Sequence, residues 1–366
     1  MKKPLIGIDT RMIANTGIGT YLRGLLDHLS GITDSTYDIC LYGKSVYSNY
    51  PWKSFTSKIY SAGEQLGYIS RLKDCQLWHS PHYNVPLISG KTKWVVTIHD
   101  LIHWIFRKEF FNPVQTFYAE KMLGHAVRHS HHIITVSEKT KSDLVQEFDA
   151  DPEKISVIYE GVSHSFRALE NPEKVAYVLN KYRIPKNYFL YVGMIKPHKN
   201  VLWLCHLFHK LKQQGKTHSV LVLVGKKDIR SSKDAKELRR LEANGEVIHI
   251  PYAESDDLVA LYNGAISLVH PSLYEGFGLT LLEAMACETP VIACRSASIP
   301  EVAGDAGMLV ESCSDSDMAN AITHMEKFPD VRAHYVQKGL DQVKKFSWKS
   351  MAEQTLEVYE KVLNPL

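Results

Sequence analysis

The sequence predicts an α/β protein of two doubly wound, parallel-sheet domains facing a central cleft. Three observations carry that expectation. The chain has 366 residues, and at roughly 150 residues per domain that suffices for two domains, each with its own core. Short β-branched runs alternate along it with longer amphipathic stretches, the pattern of strands joined by crossover helices. The alternation comes in two series, parted by a polar stretch that has prolines and no sheet signal.

In the first series the strands are Leu5–Ile8, Tyr37–Tyr42, Gln76–Trp78, Trp94–Ile98, His132–Val136 and Ser156–Tyr159. Helices fall at Thr20–Ser30, Pro113–Ser130 and Glu138–Phe148, the last with Ser137 placed to cap it. Residues 1–165 thus form a first domain. Mixed charge with Pro172 and Pro185 marks residues 166–186 as a linker. The second domain, 187–347, has strands at Tyr188–Val192, Ser219–Val224, Val247–Ile250, Ala265–His270 and Val291–Ala293. Its helices are Val201–Gln214, Asp234–Asn244, Glu254–Asn263 and Leu279–Cys287, and a closing amphipathic helix, 348–363, is expected to pack back on the first domain. Ligands of such sheets bind outside the carboxyl ends of the strands.

Composition narrows the function. Lys and Arg total 43 against 40 Asp and Glu, a net charge of +3 too small for non-specific nucleic-acid binding. Six cysteines without a C-x-x-C pair read as a reduced, cytoplasmic protein with no structural zinc. After Met1-Lys2-Lys3-Pro4 only Leu5–Ile8 is apolar, too short for a signal-peptide core, and no run is long enough to span a membrane. Contact with a membrane surface stays open. From Tyr42 to Tyr68, aromatic residues alternate with Lys44, Lys53 and Lys58, which suits a membrane interface, a lipid diphosphate headgroup or a solvated loop.

Gly17-Ile18-Gly19-Thr20 lies between the first strand and the first helix, where glycine lets backbone N–H groups approach a phosphate. A plain tight turn reads equally well. Leu22 replaces the third glycine of a dinucleotide fingerprint, and no Walker A sequence occurs. A stronger segment runs from His270 to Ala284. There a strand end, the loop containing Glu275, Gly276, Phe277 and Gly278, and a helix opening at Leu279 follow one another. Helical spacing puts Glu283 on the inward face with Leu279 and Leu282, leaning toward the helix start. Two carboxylates and free N–H groups would converge there on one polyhydroxylated anion. Glu283 paired with Arg295, with Glu275 solvated, is the plainer alternative. His99 ends a buried-looking strand, either at the cleft or as a structural histidine. Neither His99 with His103 nor His129, His131 and His132 has metal-ligand spacing. Trp78 to Asn84 reads as a loop at the cleft rim.

The two Glu separated by seven residues, with Gly-Phe-Gly after the first, resemble the signature of retaining GT-B glycosyltransferases of family 4. Gly17-Ile18-Gly19, Thr97-Ile98-His99-Asp100, Tyr191-Val192-Gly193 with Lys199-Asn200, Pro290–Ala293 and Ile299–Val302 extend the resemblance, in order, from about residue 5 to about 315. It implies two Rossmann-like domains, an acceptor-binding one followed by a nucleotide-sugar-binding one. It implies that Glu275 holds donor-sugar hydroxyls, Glu283 the ribose, and Lys199 the diphosphate, helped by backbone N–H groups near Gly17, Gly19, Gly276, Phe277, Gly278 and Leu279. His99 would serve the reaction from the acceptor side. No metal and no cofactor are expected, since a lysine and helix N-termini can stabilise the leaving diphosphate.

Met194 stands where many members place Arg directly after the glycine, and His198 where a related branch has Arg before Lys-Asn; Lys196 is expected to supply the missing charge. Whole-chain likeness is to bacterial mannosyltransferases, so GDP-mannose is the expected donor. The expected acceptor is a glycan or lipid-linked oligosaccharide of surface polysaccharide such as lipopolysaccharide, with possible peripheral inner-membrane contact. An epimerase or phosphorylase on a related fold, or a binding scaffold without turnover, is the alternative.

Overall fold

The computed structural model describes residues 3–30, 36–44, 47, 49–88, 90–229 and 231–364. Met1, Lys2 and, in the aromatic segment, Ser45, Val46 and Ser48 lie outside them. The chain divides into two compact units. The first is Met1–Gly161 with Ser347–Leu366, and the second is Val162–Phe346.

Among the described residues the first unit holds seven strands: β1 (Leu5–Asp9), β2 (Asp38–Gly43), β3 (Trp52–Ser54), β4 (Leu77–Ser80), β5 (Lys93–Ile98), β6 (His132–Thr135) and β7 (Ile155–Val157). They pair in parallel in the order β3-β2-β1-β4-β5-β6-β7. Central strands buried on both faces explain the near-continuous apolar runs that made them legible. Val96, Ile98, Leu123, Ile133 and Leu144 form one core, and Tyr42, Phe55, Tyr68 and Trp78 another. The aromatic segment therefore does not stand out in solvent as a whole. Phe55 and Tyr68 are core, helix Ala62–Leu72 lies within it, Lys53 pairs with Asp74, and Trp52 and Tyr60 are exposed. The closing helix, Trp348–Leu363, packs on helix Gly17–Leu29.

The second unit holds β8 (Tyr188–Val192), β9 (Val220–Val224), β10 (Val247–Ile250), β11 (Ser267–His270), β12 (Val291–Cys294) and β13 (Gly307–Val310). These too are parallel, in the order β10-β9-β8-β11-β12-β13. Its core gathers Phe189, Leu204, Phe208, Leu221, Leu223 and Ile292. One expectation is corrected here: residues 166–186 are not a free linker. They contain helix Pro172–Tyr182, which packs on helix Ser255–Gly264, and Lys181 and Tyr182 both donate to Asp257. Only Val178 of that helix is fully buried, so its apolar stripe was too thin to read.

Candidate active site

Strand order in the second sheet reverses between β8 and β11. At such a switch point the loops leaving the two strands diverge and open a crevice at their carboxyl ends. From β8 the chain enters a single 3-10 turn, Pro197–Lys199, and then helix Val201–Gln213. From β11 it runs through residues 271–278 into helix Leu279–Ala286. The Leu273 N–H donates to the His198 carbonyl at 2.9 Å and ties the two loops together.

That tie brings side chains 76 positions apart into contact. Lys199 Nζ lies 2.6 Å from both carboxylate oxygens of Glu275, and His270 Nε2 donates to Oε1 at 2.9 Å. Glu275 is only 7% exposed. Burial by itself pushes its carboxyl up, but Lys199 and His270 prevail and hold it well below the ordinary carboxylate range. The buried Ser298 hydroxyl bridges the carbonyls of Glu275 and Phe277, at 3.0 and 2.8 Å. Gly276 and Phe277 are buried, the Phe277 ring standing edge-on to Phe346. Gly278 takes the left-handed φ of +116° that disfavours any side chain. Helix Leu279–Ala286 then starts with no side-chain cap. Its first N–H groups, with their partial positive charge, are open to an anion.

Glu283 sits on the same helix, half-buried, and accepts a hydrogen bond from the Tyr262 hydroxyl at 2.8 Å. Burial pushes its carboxyl up to about 7, and the Tyr262 bond offsets this only in part. The pairing with Arg295 does not form, since Arg295 faces Glu311 at the surface. Lys196 is half-buried at the start of the 3-10 turn; its carbonyl accepts from the Lys199 N–H at 3.0 Å, but among the described residues its side chain makes no hydrogen bond to the Lys199–Glu275 cluster. His198 is buried.

Gly17, Gly19 and His99 belong to the first unit. A Cβ on Gly19 would lie 2.4 Å from the Ile13 carbonyl oxygen, so internal packing alone requires glycine there. Nothing lies within 4 Å of a Cβ on Gly17, which leaves its backbone approachable. His99 Nε2 donates to the Pro81 carbonyl at 3.0 Å, and Nδ1 faces Glu160 at 3.4 Å. Both ring nitrogens are thus engaged within the unit, an arrangement for a positioned ring and not for a free base.

Trp78 to Asn84 is not wholly a loop. Its first residues complete β4, and His79 is an interior group. His79 Nδ1 meets the Tyr359 hydroxyl of the closing helix at 2.6 Å, and Nε2 meets Thr97 Oγ1 at 2.8 Å. Thr97 in turn meets the Tyr21 hydroxyl at 2.9 Å, and the Tyr21 ring stands edge-on to His99 at 4.9 Å. Burial holds the His79 imidazole down at about 3, hence neutral.

Sequence reasoning quoted His270 without a role and passed over Ser298, Tyr262 and Glu160. The available signal was a histidine closing an otherwise apolar strand, which must find a partner when buried. Among the described residues no three His, Cys, Asp or Glu converge as a metal-ligand set.

Two Rossmann-like units, the second with a lysine–carboxylate cluster beside an uncapped helix start, define a protein built to hold an anionic, hydroxyl-bearing ligand. Comparison with known proteins specifies the class. Residues 179–342 match the model of glycosyl transferases group 1, and residues 36–166 that of glycosyltransferase family 4. The O-antigen chain mannosyltransferase B of Escherichia coli is 30% identical over 287 residues, 78% of this chain and 74% of that protein. The O-antigen chain mannosyltransferase RfbU of Salmonella typhimurium is 29% identical over 76% of this chain and 72% of its own length. The chain belongs to this glycosyltransferase family. Solved structures show the same GT-B fold. A glycosyltransferase from Rickettsia africae matches with TM-score 0.75 and 19% identity over 100% of both chains. HepE of Anabaena, in complex with UDP and glucose, matches with TM-score 0.77 and 18% identity over 98% of this chain and 100% of that one.

Proposed function

We propose that the chain transfers a hexose, mannose first among candidates, from a nucleotide-diphosphate sugar to a glycan or lipid-linked acceptor of surface polysaccharide. The expected donor is GDP-mannose. The observation that carries the reading is the Lys199–Glu275–His270 cluster at the β8/β11 switch point, facing an uncapped helix start. In this reading Lys199 and the first N–H groups of helix Leu279–Ala286 take the diphosphate. Glu275, oriented by His270, accepts from sugar hydroxyls, and Glu283 accepts from the ribose. The bond from the anomeric carbon to the phosphate oxygen breaks while one to the acceptor oxygen forms on the same face, so configuration is retained. The acceptor proton passes to the leaving phosphate. Lysine and helix N–H groups stabilise the developing charge without a metal ion. His99 orients groups on the acceptor side.

The names of the O-antigen mannosyltransferase relatives support mannose and a surface-polysaccharide product. A cytoplasmic site of action, with peripheral contact to the membrane face, goes with such an acceptor. No described helix is long and apolar enough to cross a membrane.

The test is a thermal-shift panel of GDP-, UDP-, ADP- and dTDP-sugars, followed by transfer assays with and without EDTA. A donor at 100 times its Kd stabilises the folded state by about 2.7 kcal/mol. GDP-mannose should give the largest shift, and transfer should persist in chelator. No shift with any nucleotide sugar refutes the donor site, and activity lost in EDTA and restored by manganese refutes the metal-free mechanism.

A further inference from the structure

His99 follows β5 directly, and its ring is met by residues from strands on both sides. Pro81 comes just past β4, the neighbour of β5 on one side, and Glu160 comes shortly past β7, two strands away on the other. Gly161 fixes where Glu160 can stand. A Cβ there would lie 2.2 Å from the Trp348 backbone nitrogen and 2.6 Å from the Ser347 carbonyl carbon, so glycine is required for the chain to pass this close to the start of the closing helix. Glu160 itself is 3% exposed.

The protons of the pair can be counted. A carbonyl has none to give, so His99 Nε2, 3.0 Å from the Pro81 carbonyl oxygen, carries a hydrogen. Nδ1 lies 3.4 Å from Glu160 Oε1. A ring with its one hydrogen on Nε2 would turn a lone pair on that carboxylate, and a carboxylate so buried is costly without a partner. Among the described residues His99 is the one ion-pair partner of Glu160. A second proton therefore lies between the two side chains, on the imidazole, the stronger base of the two.

The other groups around the ring do not compete for it. His79 on β4 and His82 in the loop after it are both held down to about 3, by burial first and by His99 second, with His103 adding to the effect at His82. On helix Gly17–Leu29 the Tyr21 ring stands edge-on to His99, and burial pushes its hydroxyl well up. Asp100 Oδ1 accepts from the Ile102 N–H at 2.9 Å. Helix Glu138–Phe148 meets His99 through the Thr140 hydroxyl, which donates to the His99 carbonyl at 3.1 Å.

We propose that Glu160 is a positioning residue for His99, holding the second proton on Nδ1 and the ring in one orientation. The inference rests on reading His99 as a group that serves the transfer. It adds that the ring does so as an oriented, proton-saturated group, with no nitrogen open to receive the acceptor proton.

Glu160→Gln tests this, because it keeps the size and an oxygen toward Nδ1 and removes the charge. An imidazole without a carboxylate partner titrates near pH 6.5, so about 3% stays doubly protonated at pH 8 and about three-quarters at pH 6. Transfer by Glu160→Gln should fall about tenfold or more below wild type at pH 8, and less than about twofold at pH 6. Glu160→Asp, which keeps the charge one methylene further back, should lose less than Glu160→Gln at pH 8. Nitrogen NMR of the histidine rings in the full chain, with the His99 signals assigned by their loss in His99→Gln, reads the proton without reference to transfer. At pH 8 both ring nitrogens should be protonated in wild type and one unprotonated in Glu160→Gln. Calorimetric titration of GDP reads the donor unit separately and should be unchanged. Wild-type transfer by His99→Gln would overturn the reading of His99, and with it this role for Glu160. With His99→Gln impaired, wild-type rates for Glu160→Gln at pH 8, a loss equal at both pH values, or an unprotonated Nδ1 in wild type would overturn the role of Glu160 alone.

Discussion

Glu283→Gln isolates a carboxyl of the second unit that burial raises. Burial holds the Glu283 carboxyl at about 7, against an ordinary value of 4.5. Because the folded-state value is raised, the contribution to stability is complete below about 4.5 and is lost as pH rises through 7. A difference of about 2.5 pH units corresponds to about 3 kcal/mol at 1.36 kcal/mol per unit, of which about 2 kcal/mol is lost between pH 5.5 and 8.5. Glutamine keeps an oxygen for the Tyr262 hydroxyl and has no ionisation to lose. Any constant cost of its amide group shifts the variant equally at every pH. The Tm of Glu283→Gln relative to wild type should therefore rise between pH 5.5 and 8.5, at about 2–4 °C per kcal/mol for a unit of this size, or roughly 4–8 °C in all. Differential scanning calorimetry of both proteins across that range reads this directly, since every other group titrates alike in the two. A Tm difference that stays flat within about 1 °C would mean that Glu283 is already ionised at pH 5.5, and the reasoning would fail.

Lys199→Ala should destabilise the chain by about 3–5 kcal/mol, because it strands a buried carboxylate bonded at 2.6 Å. Adding Glu275→Gln should restore most of that Tm without restoring transfer; a Lys199→Ala single variant melting with wild type would refute the pairing. Tyr359→Phe should cost about 1–3 kcal/mol by leaving His79 short of a partner. It should also slow transfer while calorimetric GDP affinity stays unchanged, and wild-type turnover would detach the closing helix from His99.

Legibility followed burial. Tyr188–Val192, Val247–Ile250 and the closing helix Trp348–Leu363 have the boundaries that their apolar patterns imply. β3 was invisible because Trp52, Lys53 and Ser54 are all exposed at the sheet edge. Helix Pro329–Val343 was missed because among its residues only Gly339 and Gln342 are fully buried, so no apolar stripe marks it. At the site, spacing placed Glu283 on an inward face but could not name its neighbour, since Tyr262 comes from a different helix. The contact between Lys199 and Glu275 depends on the pairing of β8 with β11, which local sequence does not encode.

The Lys199–Glu275 bond also changes what donor binding must accomplish. Without ligand, the lysine and the carboxylate satisfy each other, so a diphosphate cannot simply add to a waiting cation; it has to draw Lys199 away. Glu275, 7% exposed, then keeps His270 but loses its nearest positive charge. Sugar hydroxyls donating to Glu275 replace part of what was lost, whereas a nucleoside diphosphate without its sugar brings no such donors. Under the proposed assignment the exchange favours the intact donor over the spent nucleotide, with the carboxylate proposed to hold the sugar penalising the product. On this argument Glu275→Gln removes the stranded charge, so the variant should bind GDP at least as tightly as wild type while losing transfer. In that reading the paired cluster would release product as well as orient substrate.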